Sequence, residues 1–420
     1  MISISEAQAV VERHAPAPER TEVPLAEAGG LRLASAVTAP EPMPAFDNSS
    51  MDGYAVALRD PASDNAQELR VVGESQAGDP FEETVQPGQA VKISTGAVVP
   101  AGADRVVPIE DTDGGDPRVH LNDIGAPHAN VRFRGEEVAV GDAIAEAGER
   151  LTPPLLGRLA SLGVAQVPVF APPVVALLTT GSELVDVDAD LGPGQIRDAN
   201  RYVLTAVLNE TGARLGPVES VPDRWDDTAD AIDRAADRAD VVLVTGGVSV
   251  GPHDHVKSAA EEVGFERRFW KVRQKPGKPL YSATRDETLL LGLPGNPFSA
   301  TISTMVYVCP LLRRGQGNSH PEGRRMPGRL AASYDRLAPE RAQFVLVRVD
   351  GVEEGTAVVR GVDKQGSHML AGLHESDGYI HVPADRERVE AGERFDVTLF
   401  PWHEAGRVAE RAGEVQPDAV

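Results

Sequence analysis

Three glycine-rich loops in the second half of the chain each occur where a buried strand is expected to end. They read TGGVSVGPHDHVK after the apolar run Val241–Val244, WKVRQKPGKP from Trp270, and GLPGNPFSA after Leu289–Leu291. Helical patterns alternate with such strands over residues 172–310, which predicts a parallel α/β sheet with right-handed crossovers. Ligands of these sheets bind beyond the carboxyl ends of the strands, so we expect most of these loops at a ligand-binding edge.

The same loops hold most of the lysine in the chain. Lysine and arginine together number 41, and only six of these are lysines. Four of the six lie in the loop region, namely Lys257, Lys271, Lys275 and Lys278. Exposed N–H groups and ammonium groups that converge on one place suit an oxyanion or phosphate ligand. The alternative is a set of solvated basic turns, since each loop taken alone is weak support for a binding site.

Length and composition limit the kind of protein. A chain of 420 residues exceeds one ordinary core and predicts two to four domains. Its apolar runs are too short for a membrane span, and its N-terminus lacks the basic and apolar regions of a secretory signal. The single cysteine, Cys309, excludes an internal disulfide framework and most cysteine-based metal sites. We therefore expect a cytoplasmic protein.

The charge of the chain argues against one class of ligand. A net charge of −23 makes general nucleic-acid binding unfavourable, because phosphate backbones are repelled over most of the surface. An acidic surface with arginine in place of lysine favours a halophilic protein, since hydrated carboxylates keep a protein soluble in salt that screens charges. The alternative is an ordinary acidic cytosolic protein. Neither interpretation bears on activity.

Shorter patterns surround the α/β region. Residues 5–13 predict a helix, and Leu151–Leu162 predict another that starts at Thr152-Pro153-Pro154. From about residue 45 to 140, short strand patterns separated by Gly, Pro and Asp predict a small β-rich domain. Strands with little helix between them predict a small β-barrel or sandwich over 329–403, and the polar residues 404–420 predict a frayed tail.

Several motifs, taken together and in order, resemble one family. The chain is similar to the MoeA family, the molybdopterin molybdenumtransferases of molybdenum cofactor synthesis, which includes the corresponding E domain of gephyrin. The matching segments span nearly the whole chain. They are FDNSSMDGYAV (46–56), KISTGAVVPAGADRVVPIED (92–111), RFRGEEVAVGD (132–142), TTGSEL (179–184), GQIRDAN (194–200), KQGSHML (364–370) and the three glycine-rich loops. Any one of these segments alone is a weak signal, but the combination is specific.

The resemblance implies a fold of the α/β plus β class. It implies an elongated multidomain chain that forms a homodimer, with each cleft completed by the second domain of the partner subunit. The α/β domain would contain a parallel sheet similar to that of the MogA and MoaB proteins. The implied domains are a discontinuous connecting domain (1–45 and 141–170), a β-rich inserted domain (46–140), the α/β domain with the active site (171–316), a C-terminal small β-barrel domain (317–408) and a tail (409–420).

The resemblance also implies an activity. Enzymes of the family insert molybdate or tungstate into adenylated molybdopterin with release of AMP, the last step of molybdenum cofactor biosynthesis. It implies Mg²⁺ as the cofactor and a molybdopterin adenylyltransferase of the MogA/MoaB type as a partner, with no nucleic acid and no membrane. One alternative is a non-catalytic pterin-binding or scaffold protein of the same fold. Another is adenylyl transfer by the α/β domain, although the chain lacks a fused second domain of that type.

The family motifs assign candidate roles to particular residues. The implied catalytic residues are Asp52, Glu183, Asp223, Asp254, Lys271 and Lys275. Three of these carboxylates, Glu183, Asp223 and Asp254, are the implied Mg²⁺ ligands, because converging carboxylates repel each other unless a hard cation joins them. The implied residues for binding the pterin substrate are Thr95, Glu137, Gly246, Gly247, Ser249, Lys278, Pro294, Gly295, Asn296, Arg341 and Ser367.

Structural roles compete with some of these assignments. Asp52 precedes a glycine and could cap its own turn, and Glu183 could lie in the first turn of a helix, where a carboxylate is favoured. Arg341 and Ser367 could simply be exposed. His253 and His255 flank Asp254, but histidines two positions apart do not share a helix face. We expect them to be neighbours of solvent or ligand and not metal ligands.

Overall fold

A computed structural model describes residues 1–57, 68–249, 251, 254–335 and 340–403 of the chain. The contacts divide the chain into two compact units. The first comprises Met1–Thr21, Gly30–Ala34 and Pro168–Val420, and the second comprises Glu22–Gly29 and Ser35–Val167. The finer division into domains stays a prediction, and the predicted tail 409–420 lies outside the described residues. Among the residues that the structure describes, no helix is both long and apolar enough to cross a membrane.

A six-stranded sheet forms the centre of the first unit. Its strands, in spatial order, are Arg214–Val221, Val174–Thr180, Val241–Thr245, Thr288–Leu293, Tyr281–Arg285 and Glu266–Trp270. The first four run parallel, which confirms the predicted parallel α/β core. The helices between the strands are Ala199–Glu210, Trp225–Ala236 and Val256–Glu262, and the helix Pro297–Ser303 follows the last of these strands in chain order.

The continuous apolar runs arise because the sheet is buried on both faces. Successive side chains of a strand point to opposite faces, so the strand Val174–Thr180 serves two cores. Val175 and Leu177 belong to one core, which includes helices Ala199–Glu210 and Pro297–Ser303. Ala176 and Leu178 belong to the other, which includes the helices that begin at Trp225 and Val256.

The last two strands of this sheet differ from the prediction. Tyr281–Arg285 runs antiparallel to Thr288–Leu293, and Glu266–Trp270 runs antiparallel to Tyr281–Arg285. The sheet is therefore mixed, because a tight hairpin replaces a crossover. Its turn contains Asp286 with φ of 50°, a conformation that Asp tolerates better than most residues. This turn has no glycine, so it lacks the usual sequence signal of a hairpin.

All three glycine-rich loops nevertheless lie at the carboxyl edge of the sheet. The first follows Thr245 and the third follows Leu293, the ends of two parallel strands. Glu266–Trp270 pairs antiparallel with Tyr281–Arg285, which itself runs antiparallel to the four parallel strands. Glu266–Trp270 therefore runs in the same direction as those four strands and also ends at this edge. The loop that follows Trp270 starts at the carboxyl edge and returns to it at Tyr281, where the next strand of the sheet begins. The predicted position of the loops at this edge is confirmed.

The helix predicted from Pro297 contains an irregular turn. An α-helix over Pro297–Ser303 passes through a π-helical turn at Thr304–Val308 into the α-helix Cys309–Gly315. Pro310 has no N–H group and cannot donate to a carbonyl one turn earlier, which explains the widened turn at this point. Cys309 is buried there, and burial raises the pKa of its thiol to about 12.

A closed β-barrel lies in the C-terminal part of the first unit. Its five strands are Ala342–Glu353, Thr356–Gly361, Arg325–Leu330, Arg394–Leu399 and Gly378–Val382. The barrel closes because the first and last of these strands pair with each other, which selects the barrel over the sandwich. A sixth, two-residue strand, Gln274–Lys275, pairs in parallel with Ala342–Gln343. Strand pairing thus connects the second glycine-rich loop to the barrel.

The second unit is rich in β-structure, as predicted. Its five-stranded sheet has the order Arg105–Pro108, Gly53–Val56, Gln89–Ile93, Glu68–Ser75 and Arg118–His120. The predicted helix near its end spans Pro153–Ser161, and the predicted N-terminal helix of the chain spans Ile4–Arg13. The remaining helices are Leu25–Glu27, Ile109–Asp111 and Leu370–Glu375, and the remaining strands are Arg20–Pro24, Val37–Thr38, Asn48–Ser49, Val131–Arg132, Ala143–Ala145, Gln166–Phe170, Leu184–Val185, Ile196–Arg197, Tyr334–Asp335 and Arg388–Val389.

Candidate active site

A cleft of about 720 Å³ opens at the carboxyl edge of the six-stranded sheet. Two glycine-rich loops form part of its wall, and carboxylates from neighbouring loops form another part. The cleft brings together nine of the predicted site residues, namely Glu183, Asp223, Gly246, Gly247, Ser249, Asp254, Pro294, Gly295 and Asn296. This is the place that the alternation of strands and helices predicted for a ligand.

Glu183 is an exposed side chain in a turn of the cleft wall. The expected helix after TTGSEL is wrong. The backbone instead enters the short strand Leu184–Val185, which pairs in parallel with Ile196–Arg197. Ile196 N donates to the carbonyl oxygen of Glu183 at 2.9 Å, so this backbone is used in strand pairing. Glu183 therefore does not lie in the first turn of a helix, and the helix-cap alternative for its carboxylate is removed.

Asp223 lies in the loop after the neighbouring strand. Its backbone N–H donates to Ser182 Oγ at 3.0 Å, and Ser182 N donates to Asp223 Oδ2 at 3.3 Å. These reciprocal hydrogen bonds join two loops that leave adjacent strands. They place Asp223 beside the segment that carries Glu183.

Asp254 belongs to the first glycine-rich loop, just before the helix Val256–Glu262. Gly251 N donates to its carboxylate, and Asp254 N donates to Gly251 O at 3.2 Å. Hydrogen bonds with Gly251 therefore hold this third carboxylate at the cleft. His253 lies outside the described residues, and His255 stands at the N-cap of the helix without a side-chain capping bond.

The three predicted metal ligands line one cleft but do not form a preassembled cluster. Over the described parts of the chain, no group of three His, Cys, Asp or Glu side chains could hold a metal ion. Mg²⁺ is usually bound through one or two carboxylates together with water and substrate phosphates, so it needs no all-protein cage. The donor set fits such an ion, and Mg²⁺ stays a prediction.

Asp198 lines the same cleft but has a structural role. It is only 4% exposed and accepts hydrogen bonds from Thr179 Oγ1 at 2.5 Å, Ser220 Oγ at 3.0 Å and Arg201 N at 3.1 Å. The last of these bonds caps the helix Ala199–Glu210. Its carboxylate is therefore occupied by protein donors, unlike the exposed carboxylate of Glu183.

The first glycine-rich loop needs glycine for steric reasons. Gly246 and Gly247 have φ of 87° and 61°, in the region that disfavours side chains. A Cβ atom on Gly246 would stand 2.7 Å from the carbonyl oxygen of Thr180, and one on Gly247 would stand 2.7 Å from Val256 Cγ2. The turn therefore brings bare backbone to the cleft.

We expect Gly246→Ala to destabilise the first unit by at least about 2 kcal/mol, because it combines backbone strain with a backbone clash. The measurement is urea unfolding followed by tryptophan fluorescence, since all three tryptophans lie in this unit. Gly351→Ala is the matched control. A Cβ atom there meets nothing within 4 Å, and we expect a change below about 0.5 kcal/mol. Equal midpoints for the two variants would contradict the steric account.

The lysine loop, Trp270–Pro279, meets the cleft through its last residue. Lys271, Lys275 and Lys278 are absent from the lining, whereas Pro279 is part of it. Gln274 is fully buried and anchors the loop, because its Oε1 accepts from Tyr307 Oη and its Nε2 donates to Gly277 O at 3.2 Å. The structure thus separates the predicted lysines from the predicted carboxylates within the unit.

The two candidates from the barrel region occupy different places. Ser367 adjoins the cleft, since its Oγ accepts from Asn296 Nδ2 at 2.9 Å and its carbonyl accepts from Phe298 N at 3.1 Å. Arg341 directly precedes the barrel strand that pairs with Gln274–Lys275, and its guanidinium is 3.7 Å from the carboxylate of Glu340. Only Ser367 contacts a residue of the cleft lining.

Three candidates lie in the second unit. Asp52 is exposed, and its Oδ1 accepts from Thr95 N at 2.7 Å. This bond crosses to a separate loop, so Asp52 does more than cap its own turn. Glu137 is exposed as well, and its backbone N–H donates to Met43 O at 3.1 Å. Asp52 and Thr95 therefore form one hydrogen-bonded pair, whereas the backbone bond of Glu137 goes to Met43.

Asn200 is a cleft residue that was not predicted. Its Nδ2 donates to Gly295 O at 2.7 Å and so ties the helix Ala199–Glu210 to the third glycine-rich loop. Its Oδ1 is buried and has no hydrogen-bond partner among the described residues. The GQIRDAN motif contains Asn200, but an Asn in the first turn of a helix carries no sequence signal for such a contact.

Comparison with known families agrees with the fold and the cleft. A model described as the MoeA N-terminal region (domain I and II) matches residues 2–163. A model of a probable molybdopterin binding domain matches residues 176–314, which contain the cleft loops, and a model of the MoeA C-terminal region (domain IV) matches residues 328–400. The three matches follow the chain in the order that the motifs predicted.

Individual relatives are similar over almost their whole length. A molybdopterin molybdenumtransferase of Haemophilus influenzae is 36% identical over 405 residues, covering 96% of this chain and 99% of the relative. Molybdopterin molybdenumtransferase 2 of Mycobacterium tuberculosis is also 36% identical, covering 94% and 99%. A crystal structure of the molybdopterin biosynthesis MoeA protein from Pyrococcus horikoshii superposes with a TM-score of 0.77 at 30% identity, covering 95% of this chain and 99% of that chain.

Proposed function

We propose that this chain, which belongs to the MoeA family, is a molybdopterin molybdenumtransferase that inserts molybdenum into molybdopterin during molybdenum cofactor biosynthesis. The observation that carries the proposal is the cleft, where two glycine-rich loops and three carboxylates meet at the carboxyl edge of the sheet. We further propose that the substrate is the adenylated pterin and that AMP is released. The oxyanion is molybdate or tungstate, which share charge and shape.

The chemistry brings together two substrates that are both negative. The dianion must be held beside the two pterin sulfurs while water cleaves the bond between the pterin phosphate and the adenylate. Gly246 and Gly247 have no side chain, so their backbone can approach a phosphate closely. The ammonium groups of Lys271 and Lys275 would lower the repulsion between the substrates. These two lysines are assigned to the oxyanion, and the glycine-rich loops to the pterin and its phosphates.

Mg²⁺ is the proposed cofactor. Glu183, Asp223 and Asp254 would hold it, since their carboxylates reach the same cleft from three different loops. When bound, the ion would neutralise negative charge on the substrate phosphates. Ser182 keeps Asp223 in place through the reciprocal hydrogen bonds.

The remaining assignments concern partners and setting. We propose a homodimer in which Asp52 and Thr95 of one chain face the cleft of the other, and a MogA/MoaB-type adenylyltransferase that supplies the substrate. The net charge of −23 and the use of arginine in place of most lysine support a protein of a halophilic cell, and we propose a cytoplasmic location. Glu137, Arg341 and Ser367 are proposed as further contacts to the pterin substrate.

The test is AMP release by the purified protein. Adenylated molybdopterin and Mg²⁺ are incubated with molybdate, tungstate, sulfate or no oxyanion, and AMP is quantified over time. We expect release that depends on molybdate or tungstate and is lost with a chelator. Tight binding of the pterin without oxyanion-dependent AMP release would contradict the proposal and would favour a pterin-binding or scaffold protein.

We expect Lys275→Arg to reduce oxyanion-dependent AMP release by at least about tenfold, or roughly 1.4 kcal/mol of transition-state stabilisation. Lys275 is half-buried in a two-residue strand paired with Gln343, so a broad planar guanidinium would crowd a site shaped for a compact ammonium. Lys364→Arg is the matched control, because that ammonium forms an exposed ion pair with Glu375. Near-wild-type turnover of Lys275→Arg at saturating oxyanion would refute a positioned ligand.

A further inference from the structure

Trp270 contacts both the lysine loop and the first glycine-rich loop. It ends the strand Glu266–Trp270 at the carboxyl edge of the sheet, and its Nε1–H donates to Val248 O at 3.0 Å. Val248 is 2% exposed and belongs to the cleft lining. A single indole N–H therefore fixes a backbone carbonyl of the glycine-rich loop.

Two lysines place their ammonium groups on the same indole ring. Lys257 Nζ is 4.3 Å and Lys271 Nζ is 3.8 Å from the ring centroid of Trp270. Both distances are within the range of a cation–π interaction, for which tryptophan is the strongest partner. The ring thus offsets part of the repulsion between two like charges.

The two ammonium groups have different surroundings. Lys257 Nζ donates to the carbonyl oxygens of Val248, at 3.3 Å, and of Ser249, so its hydrogens hold the glycine-rich loop. Burial lowers the pKa of Lys257, while the carboxylate of Asp254 acts in the opposite direction and the charge of Lys271 in the same direction. Lys257 therefore has a structural role, because its ammonium group holds the backbone of the first glycine-rich loop.

Lys271 has a backbone that hydrogen bonds hold on both sides of the residue. Its φ is 69°, its N–H donates to Leu280 O at 2.9 Å, and its carbonyl accepts from Ile2 N at 3.1 Å. The ion pairs found across the described parts of the chain do not include its ammonium group. With the backbone held at one end and the ring at the other, the side chain has little freedom left to lose when an anion binds.

We propose that Trp270 is a positioning residue of the transfer reaction, and this inference rests on the proposed function. Its ring fixes the ammonium of Lys271, and its N–H fixes the carbonyl of Val248. The lysine that meets the oxyanion and the loop that meets the pterin phosphates are therefore held by one side chain. Such a support holds the oxyanion-binding ammonium in place, so its loss should weaken binding of the oxyanion more than it slows the chemical step.

Two substitutions separate the roles of the ring and the N–H group. Trp270→Phe keeps an aromatic face but loses the hydrogen bond to Val248, whereas Trp270→Leu loses both. We expect the KM for molybdate to rise about threefold in Trp270→Phe and about tenfold or more in Trp270→Leu, with kcat changed by less than about threefold. The thermal midpoint of each variant is measured alongside, so that loss of folding is not counted as loss of binding.

Trp402→Leu is the matched control for the ring. Trp402 stacks on Phe400 with ring centroids 4.5 Å apart and is absent from the cleft lining, so we expect an unchanged KM for molybdate. An unchanged KM in folded Trp270→Leu would overturn the inference. An equal rise in Trp402→Leu would do so as well, because the effect would then follow from any lost tryptophan.

A binding measurement tests the same inference without turnover. In a chain with Trp225→Phe and Trp402→Phe, Trp270 is the only tryptophan. We expect its fluorescence to change saturably with added molybdate at constant ionic strength, and we expect Lys271→Met to abolish the change. A saturable response in a protein that releases no AMP would support the positioning role and refute the proposed activity. Normal AMP release without a change in Trp270 fluorescence would overturn the positioning role but would not contradict the proposed activity.

Discussion

Glu183→Gln is expected to reduce molybdate-dependent AMP release by about a hundredfold or more, or roughly 2.7 kcal/mol of transition-state stabilisation. The carboxylate of Glu183 is exposed in the cleft, and the backbone of this residue is held by the strand pair that follows. Glutamine keeps the shape of the side chain and removes only the charge. The loss should therefore appear in kcat, with the thermal midpoint unchanged.

Glu210→Gln is the control for this substitution. Glu210 is an exposed residue at the end of the helix Ala199–Glu210 and does not line the cleft, so its variant should retain wild-type turnover. Glu183→Gln with full activity would remove Glu183 from the catalytic residues. A large fall in its thermal midpoint would instead assign Glu183 a structural role.

Two inactive variants, Asp52→Ala and Lys275→Ala, are expected to restore activity when their chains are mixed. Asp52 belongs to the second unit and Lys275 to the first, and the proposed cleft draws these units from different chains of the dimer. In a mixed dimer one cleft then carries both substitutions and the other carries neither. With random exchange, about one quarter of all clefts should be intact, and activity should recover to about that fraction.

The control mixture is Lys271→Ala with Lys275→Ala. Both residues lie in the first unit, so every cleft of a mixed dimer carries one of the two substitutions, and no activity should return. Subunit exchange is verified with differently tagged chains. If Asp52→Ala and Lys275→Ala chains exchange and activity does not return, the shared cleft is refuted.

The sequence predicted those parts of the fold that follow from local patterns. Val174–Thr180 and Val241–Thr245 are continuous apolar runs because they are buried on both faces, and the glycines that follow them place the cleft at the correct edge. Closure of the barrel was not predictable from such patterns. It depends on the pairing of Ala342–Glu353 with Gly378–Val382, strands that are not neighbours in sequence.

The candidate site was predicted to a similar extent. The family resemblance assigned Glu183, Asp223 and Asp254 to the site, and the structure brings all three to one cleft. The structural role of Asp198 became visible only through its bonds with Thr179 and Ser220, which come from two different strands.

Trp270 escaped detection for a related reason. Its sequence position predicts the end of a strand, and its significance comes from Lys257, which reaches the ring from the first turn of the helix Val256–Glu262. Cation–π contacts leave no periodic pattern in a sequence, so only the folded chain reveals them.

The most direct test of the account is the stoichiometry of a single turnover. Purified protein in excess is mixed with adenylated molybdopterin, Mg²⁺ and molybdate, and both the AMP released and the molybdenum bound to the pterin product are quantified. The account predicts one molybdenum per AMP, with both products lost together in Glu183→Gln. Release of AMP at the same rate without molybdate, with a pterin product free of molybdenum, would contradict it.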